Sequence, residues 1–450
     1  MRITWLKPEE RIEHEFRQLH EEGIDVSSLQ IQWQELVCSV TDSAGLRIEA
    51  ERLLDECQRL EEVSEAGCIE VAEPSDLAAI KARASAQDCQ SCSTFSEQML
   101  FERILGGWTG RMAGCLLGKP VEKVPREGIR AILQSSNQWP LNNYFTGRGV
   151  PDEVTQHYPW NRASRNNSLR ENIVCMPEDD DINFTMLNLH VLETAGEGFG
   201  TEDIARAWLE MLPVMAVFTA ERVAYVNLLA LREPPETATY RNPYREWIGA
   251  QIRADLWGWA SPGDPERAAE LAWRDARLSH VKNGIYGEMY IAAMVAEAFV
   301  TDDVRKVVNA GLTTIPASGR LAEAIRFACT LADKAGEWEE TVDRIYERYG
   351  HYHWVHTINN AALLTAALLC GAGDFERSIC YAVTGGWDTD CNGATVGSIL
   401  GTMLGYERIP DKWSAPLNNR VRSSLRGFDN SSIEDLAVRT VTTVPMRYRR

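Results

Sequence analysis

Two stripes of glycine constrain the fold of this chain more than any other feature of its sequence. Each stripe places a glycine at every fourth position, at Gly106, Gly110, Gly114 and Gly118 and again at Gly393, Gly397, Gly401 and Gly405. Residues four apart share one face of an α-helix, and each glycine inside a helix costs about 1 kcal/mol relative to alanine. Such a cost indicates close approach of the backbone to another helix or to a ligand. The pattern predicts two tightly packed core helices.

Two acidic clusters lie beside these stripes. Asp388 and Asp390 stand in Thr384-Gly-Gly-Trp-Asp-Thr-Asp-Cys-Asn-Gly393, and the second cluster is Pro177-Glu-Asp-Asp-Asp181. Carboxylates this close raise each other's pKa unless a cation neutralises them, and Mg²⁺, Mn²⁺ and Ca²⁺ prefer oxygen ligands. A lone acidic cluster at a helix start is more often an N-cap or a partner of the helix dipole. Two clusters about two hundred residues apart predict one metal site closed by the fold.

Glu122 follows the first glycine stripe in Gly118-Lys-Pro-Val-Glu122. Pro120 ends the helix, so Glu122 lies at its C-terminal end, where the helix dipole disfavours a carboxylate. The residue is either an exposed loop glutamate or a functional carboxylate. Residues 135–175 are irregular and rich in Asn, Arg, Pro and Tyr. A loop of this length is often a functional lid.

Composition excludes several classes of protein. The 450 residues carry a net charge of −19, which disfavours broad binding to nucleic acid or to an anionic membrane. The longest apolar run, Ala361 to Cys370, is shorter than the roughly 18 residues that a membrane span needs. Eleven cysteines at irregular spacing do not form a disulfide framework, and Cys89 and Cys92 are the only close pair. We therefore predict a cytoplasmic protein with no nucleic-acid or membrane partner.

Helical periodicity extends along most of the chain. Residues 1–95 are predicted to form a helical N-terminal appendage that packs on the main domain or mediates self-association, and residues 96–450 a single catalytic domain. Strand signals are sparse, so the fold class is all-α. Apolar spacing predicts helices over 202–217, 219–231, 245–257, 265–277, 285–300, 302–311, 318–334, 337–349 and 358–370.

Two further groups of polar residues are candidates for a site. His280 and Asn283 stand at the entrance of a predicted helix, where capping and ligand contact are equally good interpretations. His351, His353 and His356 form a cluster, but their spacing does not match a helical pair of zinc ligands.

Three motifs in one order resemble the ADP-ribosylglycohydrolase family over roughly residues 100–425. They are Gly106-x-x-x-Gly-x-x-x-Gly-x-x-Leu-Gly-x-Pro-Val-Glu122, the Asp179-Asp-Asp181 cluster and Gly385-Gly-Trp-Asp-Thr-Asp390. The resemblance implies a compact orthogonal bundle of helices with two divalent cations, Mg²⁺ or Mn²⁺, in a central cleft. It also implies that Glu122 contacts the substrate ribose and activates water.

The resemblance implies specific roles for residues of both clusters. The metal ligands are expected to be Asp179, Asp180, Asp181, Asp388 and Asp390. Contacts with the substrate are expected from His280, Asn283, Gly284, Tyr286, Thr389 and Asn392.

The chain departs from the family pattern at four points. Asp179 stands where the family has threonine, which adds a negative charge, and Cys391 replaces a second threonine, which removes a hard oxygen ligand. Trp387 is inserted before Asp388. A Gly-Asn-Gly segment that many members place near the substrate is not evident, and Thr219-Ala-Glu-Arg-Val-Ala-Tyr225 stands in that interval.

The leading hypothesis is a metal-dependent hydrolase of a ribosyl glycosidic bond. Its substrate would be an ADP-ribosylated side chain or a small ADP-ribosyl conjugate, and another nucleoside or ribosyl metabolite is the alternative. A catalytically silent module that binds ADP-ribose is a rival from a different class, and a structural, crystallin-like use of the fold ranks last. Glu122 and the five aspartates favour an enzyme, because unpaired buried carboxylates are costly.

Overall fold

The computed structural model describes residues 3–40, 42–64, 72–85, 93–162, 164–334 and 337–450. Cys89 and Cys92 lie outside the described residues. The helices before residue 95 are α1 (Pro8–Glu21), α2 (Ser27–Ser39), α3 (Ser43–Ser64) and α4 (Leu77–Arg83). Those of the main body are α5 (Glu97–Gly118), α6 (Arg126–Ser135), α7 (Asp152–His157), α8 (Asp180–Ala195), α9 (Thr201–Met211), α10 (Thr219–Leu229), α11 (Glu236–Thr239), α12 (Asp255–Trp259), α13 (Pro265–Ala276), α14 (Lys282–Glu297), α15 (Val304–Leu312), α16 (Arg320–Asp333), α17 (Trp338–Tyr349), α18 (Thr357–Gly371), α19 (Phe375–Thr384), α20 (Thr389–Leu404), α21 (Asp411–Ser414) and α22 (Ile433–Thr443). The all-α prediction is confirmed.

Extended structure is minor in the described residues. The strands β1 (Arg420–Val421) and β2 (Ser431–Ser432) form one antiparallel pair. The described helices include none that is long and apolar enough to cross a membrane.

Helices α5 and α20 pack against each other through their glycines. A Cβ built on Gly110 would lie 2.0 Å from the carbonyl oxygen of Gly397, and one built on Gly114 would lie 1.9 Å from that of Gly393. The reciprocal distance from Gly397 to the Gly110 oxygen is also 2.0 Å. The two backbones therefore touch without intervening side chains. Gly405 follows the end of α20 with a φ of +80°, and a Cβ built on Gly106 would lie 2.8 Å from its carbonyl carbon.

The predicted helix over 245–257 is wrong. This segment forms turns, a short 3₁₀ helix at Gln251–Arg253 and then α12. Its backbone forms hydrogen bonds with distant segments. The Ile248 amide donates to the Val355 carbonyl at 2.9 Å, and the Arg245 carbonyl accepts from the Val281 amide at 3.0 Å. The predicted helix over 202–217 ends early, at Met211, because Pro213 follows.

The N-terminal helices have a small core of their own. Ile12, Phe16, Leu53 and Leu54 are buried in it, together with Trp33. This core involves α1, α2 and α3, and the large core of the main body is a separate cluster.

Buried ion pairs join the N-terminal helices to the main body. Arg245 is 0% exposed, and its guanidinium contacts the carboxylates of Glu15 at 2.9 Å, Glu22 at 3.2 Å and Glu61 at 3.0 Å. Lys282 adds a contact with Glu22 at 2.9 Å. Removing one partner from such a network leaves a buried charge without compensation, so these pairs fix the docking of the segment.

Candidate functional site

Both acidic clusters line one cavity of about 610 Å³. Helix α8 begins at Asp180 and α20 begins at Thr389, so the two helix starts present the clusters to the same space. The Sγ of Cys391 donates to Oδ2 of Asp181 at 3.2 Å, which places the two clusters in direct contact. The close packing of α5 on α20 brings Lys119 and Glu122, which follow α5, to this cavity.

The first cluster is tied to basic side chains. Asp179 caps α8, since its Oδ1 accepts from the Asp181 amide at 2.9 Å, and its Oδ2 pairs with the ammonium of Lys119. Arg111 is 0% exposed, donates to the Asp181 backbone oxygen at 2.7 Å and pairs with the Asp181 carboxylate at 3.1 Å. Both oxygens of Asp179 are therefore engaged. The Asp180 side chain is half-buried and faces the cavity.

The second cluster sits on a left-handed turn. Gly386 and Trp387 have φ values of +84° and +56°, and the Trp387 ring stacks on Tyr346 with centroids 4.1 Å apart. The Asp388 amide donates to Asn360 Oδ1 at 3.3 Å. Within the described part of the chain, the buried Oδ1 of Asp390 has no hydrogen-bond partner. An unsatisfied buried carboxylate oxygen is costly, so this oxygen is a potential ligand atom for a cation.

Electrostatics in the cavity favour a bound cation. Burial and the charges of Glu122 and Asp388 raise the pKa of Asp390 well above its ordinary value. Burial and Glu122 raise the pKa of Asp388 to about 7. Burial opposes ionisation of Asp179, but the Lys119 ammonium outweighs it and lowers the pKa of that carboxyl. Potential ligand atoms form two groups, and within each group the atoms lie within 4.8 Å of one another. One group is Cys115, Asp179 and Asp181, and the other is Asp388, Asp390 and Cys391.

These residues fit a divalent cation. Eight carboxylates and two lysines line the cavity, and carboxylate oxygens are the ligands that Mg²⁺ and Mn²⁺ prefer. A bound cation would contact the unpaired Oδ1 of Asp390. It would also lower the raised pKa values of Asp388 and Asp390, because an adjacent cation stabilises ionised carboxylates.

Glu122 stands at the cavity wall. Asn161 Nδ2 donates to its Oε2 at 2.6 Å, and Lys123 Nζ lies 3.1 Å from its Oε1. The Glu122 side chain is 21% exposed. Two other residues of the cavity wall, Asn161 and Lys123, thus orient the carboxylate. Asn161 belongs to the irregular segment after Glu122, which also supplies Ser164 and Asn167 to the wall.

Four predicted substrate contacts lie elsewhere. His280, Asn283, Gly284 and Tyr286 are buried and are not among the described residues that line the cavity. The Asn283 amide donates to Glu73 at 2.8 Å and to Glu246 at 2.6 Å. Tyr286 donates to the carbonyl of Pro74, and His280 bonds to Ser279 at 2.8 Å. These contacts serve the interior and the docking of the N-terminal segment.

Thr389 and Asn392 support the second cluster. Thr389 donates through Oγ1 to the Gly118 carbonyl at 2.9 Å, which joins the start of α20 to the end of α5. Asn392 donates to Asn360 Oδ1 at 2.7 Å, the same atom that accepts from Asp388. Both residues therefore hold the backbone beneath the acidic cluster.

The histidine cluster is accounted for by packing. The His353 ring stacks on Trp247 at 4.2 Å, and His356 accepts from the Ile358 amide at 3.2 Å and lies 3.5 Å from Glu21. Burial lowers the pKa of both histidines to about 3, so they are neutral at ordinary pH.

Sequence reasoning missed several residues of the cavity. Lys119 could have been found, because it is the one basic residue between the glycine stripe and Glu122. Glu221 lies in the segment noted as a departure from the family, where α10 begins, and lines the cavity. Burial raises the pKa of Glu221 to about 6 against the opposing charge of Arg253. Asn161 and Trp5 carry no local signal in the sequence.

Comparison with known protein families gives one match. The family model described as ADP-ribosylglycohydrolase matches residues 96–449. A solved structure titled "ADP-ribosylglycohydrolase-related protein complex" is 17% identical, covers 78% of this chain and 99% of its own, and superposes with a TM-score of 0.48. No curated protein matches this chain.

Proposed function

The chain belongs to the ADP-ribosylglycohydrolase family, and from this premise we propose that it hydrolyses a ribosyl glycosidic bond in a reaction that depends on a divalent metal. Family membership suggests action on ADP-ribosyl bonds. The proposed substrate is an ADP-ribosylated side chain or a small ADP-ribosyl conjugate.

One observation carries the proposal. Two acidic clusters far apart in the sequence meet in one cavity beside Glu122, with the Cys391 sulfur 3.2 Å from Asp181. Among the described residues, the buried Asp390 Oδ1 has no hydrogen-bond partner, which leaves it able to bind a cation. Buried charge without compensation destabilises a fold. A cavity that brings many carboxylates together therefore supports a functional role for them.

Four aspartates are the proposed ligands of the metal. Asp181, Asp388 and Asp390 converge, and the half-buried Asp180 faces the same cavity. Asp179 contributes charge, but its oxygens are engaged by Lys119 and by the Asp181 amide. When bound, a divalent cation would orient ribose hydroxyls and lower the pKa of a coordinated water. We propose Mg²⁺ or Mn²⁺, with room in the ligand set for two ions.

Glu122 is the proposed general acid or base. In hydrolysis, a water oxygen forms a bond to the anomeric carbon, the bond to the leaving group breaks, and one proton passes from the water to the departing atom. A carboxylate can accept the proton from water and return it to the leaving group. Asn161 and Lys123 hold the two Glu122 oxygens at 2.6 Å and 3.1 Å, which fixes the side chain at the cavity wall.

Turnover with matched variants tests the proposal. Peptides that carry ADP-ribosyl-arginine or ADP-ribosyl-serine are incubated with Mg²⁺, with Mn²⁺ or with a chelator, and released ADP-ribose is measured by chromatography. We expect metal-dependent release that falls by about 10²- to 10⁴-fold in Glu122→Gln. Glu178→Gln is the control, because Glu178 lines the same cavity but bonds to Asn183 at 2.8 Å and Ser424 at 2.7 Å.

Two results would contradict the proposal. Release that persists in the chelator at the full rate would remove the metal from the reaction. Binding of ADP-ribose without turnover of either peptide or of a ribosyl metabolite would favour the catalytically silent module.

A further inference from the structure

The lining of the cavity combines two chemically unlike groups of residues. One group is acidic and consists of Glu122 and the aspartates, and the other is aromatic and consists of Trp5, Trp247, Trp354 and Phe218. Trp5 comes from the N-terminal segment, which lies outside residues 96–449 matched by the family model. The segment therefore contributes directly to the wall of the candidate site.

Hydrogen bonds hold the backbone of Trp5 in place from three directions. Its amide donates to Glu10 Oε2 at 3.3 Å, and its carbonyl accepts from the Tyr244 hydroxyl at 3.4 Å. The preceding residue, Thr4, accepts from the guanidinium of Arg222 at its carbonyl at 3.1 Å and at its Oγ1 at 2.9 Å. Arg222 is buried and belongs to α10, whose first turn lines the cavity.

The backbone of Trp5 is also in an unfavourable conformation. Its φ is +69°, in the left-handed region, and so is that of Lys123 at +70° on the same cavity wall. A bulky residue in this region costs on the order of 1–2 kcal/mol. Such conformations persist where the surrounding structure determines them and are concentrated at functional sites.

The aromatic neighbours of Trp5 contact its ring at steep or tilted angles. Tyr244 and Trp247 form T-shaped contacts with Trp5, at interplanar angles of 85° and 81°, and the His14 ring is tilted by 50° to it. Trp247 differs, because His353 stacks on it at an angle of 10°. Among the described aromatic pairs, none places a ring face-to-face on Trp5, and the side chain is half-buried.

We propose that Trp5 binds the nucleobase of the substrate, so that the N-terminal segment determines substrate specificity. Planar bases stack on aromatic side chains in this manner, and the proposed ribosyl substrate carries such a base at the end remote from the cleaved bond. The inference rests on the proposed function for the identity of the ligand. Its structural basis is an aromatic residue that lines the cavity and whose backbone is held by hydrogen bonds. Such pre-organisation lowers the cost of ordering a binding group.

Binding measurements on the full chain with and without a base test the inference. Calorimetry compares ADP-ribose with ribose 5-phosphate in the presence of Mg²⁺, for the parent, Trp5→Leu and Trp5→Phe. We expect Trp5→Leu to weaken ADP-ribose binding by roughly 5- to 150-fold and to leave ribose 5-phosphate unchanged. Trp5→Phe keeps a ring and should retain most of the affinity. Ile31→Ala, at an exposed position of α2, is the control for general effects on the segment.

Each other outcome has a definite meaning. The inference is overturned if the parent and Trp5→Leu bind ADP-ribose with equal affinity. It is also overturned if Trp5→Leu loses the same affinity for ADP-ribose and for ribose 5-phosphate, or if the parent binds neither ligand. A melting temperature of Trp5→Leu close to that of the parent shows that the variant is folded. If Trp5→Phe binds as weakly as Trp5→Leu, ring stacking is not the cause and the inference also fails. If binding depends on the base but no substrate is hydrolysed, the proposed hydrolysis is wrong and this inference still holds.

Discussion

Replacing Gly114 with alanine tests the contact between α5 and α20. The new Cβ would lie 1.9 Å from the Gly393 oxygen and 2.4 Å from its carbonyl carbon, and both atoms belong to the backbone. A carbon and a carbonyl oxygen approach to about 3.3 Å, so the helices would have to separate locally by about 1.4 Å. No rotamer change can relieve the clash, because neither neighbour is a side chain.

The expected cost follows from two opposing effects. Overpacking a core costs typically about 1–3 kcal/mol, and the rigid neighbour places Gly114→Ala at the upper end. Alanine gains about 1 kcal/mol in helix propensity over glycine. We expect a net loss of about 1–2 kcal/mol in the free energy of unfolding, because the clash outweighs the propensity gain. Because α20 begins at the second acidic cluster, metal affinity should fall as well.

Chemical denaturation and calorimetric titration with Mg²⁺ measure the two effects. Gly198→Ala is the matched control, since nothing lies within 4 Å of a Cβ at that position, and it should change stability by less than about 0.5 kcal/mol. If Gly114→Ala is more stable than the parent and binds metal equally well, the propensity gain has prevailed and the proposed close packing is refuted.

Four further predictions concern charge. Asp390→Asn should bind Mg²⁺ much more weakly and lose the increase in melting temperature that bound metal provides, and unchanged calorimetry would exclude it as a ligand. Glu122→Gln should keep that increase, and its loss would make Glu122 a ligand. Burial and Glu122 raise the pKa of Asp388 to about 7, so the folded chain binds more protons than the unfolded one above about pH 4. Stability in chelator should therefore fall as pH rises towards 7, whereas stabilisation by Mg²⁺ should grow from pH 6 to 8, and melting curves with the opposite trend would contradict this. Arg245→Met should lower the free energy of unfolding by about 3–5 kcal/mol, because it leaves buried carboxylates without a charge partner. Arg47→Met, at an exposed position, should lower it by less than about 1 kcal/mol. Equal losses in the two variants would contradict the buried network.

The features predicted well from the sequence are those whose signal is local. The glycine stripes indicate close packing because the period of four is visible in each helix, and Gly110 and Gly397 meet. The acidic clusters are contiguous, so Asp181 and Asp390 were found without knowledge of the fold, and both line the cavity. Their roles as metal ligands remain predictions.

The features that were missed depend on long-range contacts. The segment 245–257 has apolar spacing typical of a helix, but its buried backbone bonds to residues 281 and 355 instead. Tertiary pairing thus outweighs a weak local preference. Asn161 reaches Glu122 across 39 positions, and Trp5 reaches Tyr244 across 239. No periodicity in one chain indicates such partners.

The glycine contact also limits how the candidate site can change shape. Interfaces made of side chains allow small shear motions, in which packed helices slide on one another. Between α5 and α20 the surfaces in contact are backbone atoms with matched spacing on both helices. An intermediate slide would drive carbonyl oxygens into Cα atoms, so the next register that matches the glycines is four residues away, about 6 Å along the axis. The separation between Lys119 and the second acidic cluster is therefore set in discrete steps, and substitutions elsewhere on these helices cannot tune it continuously.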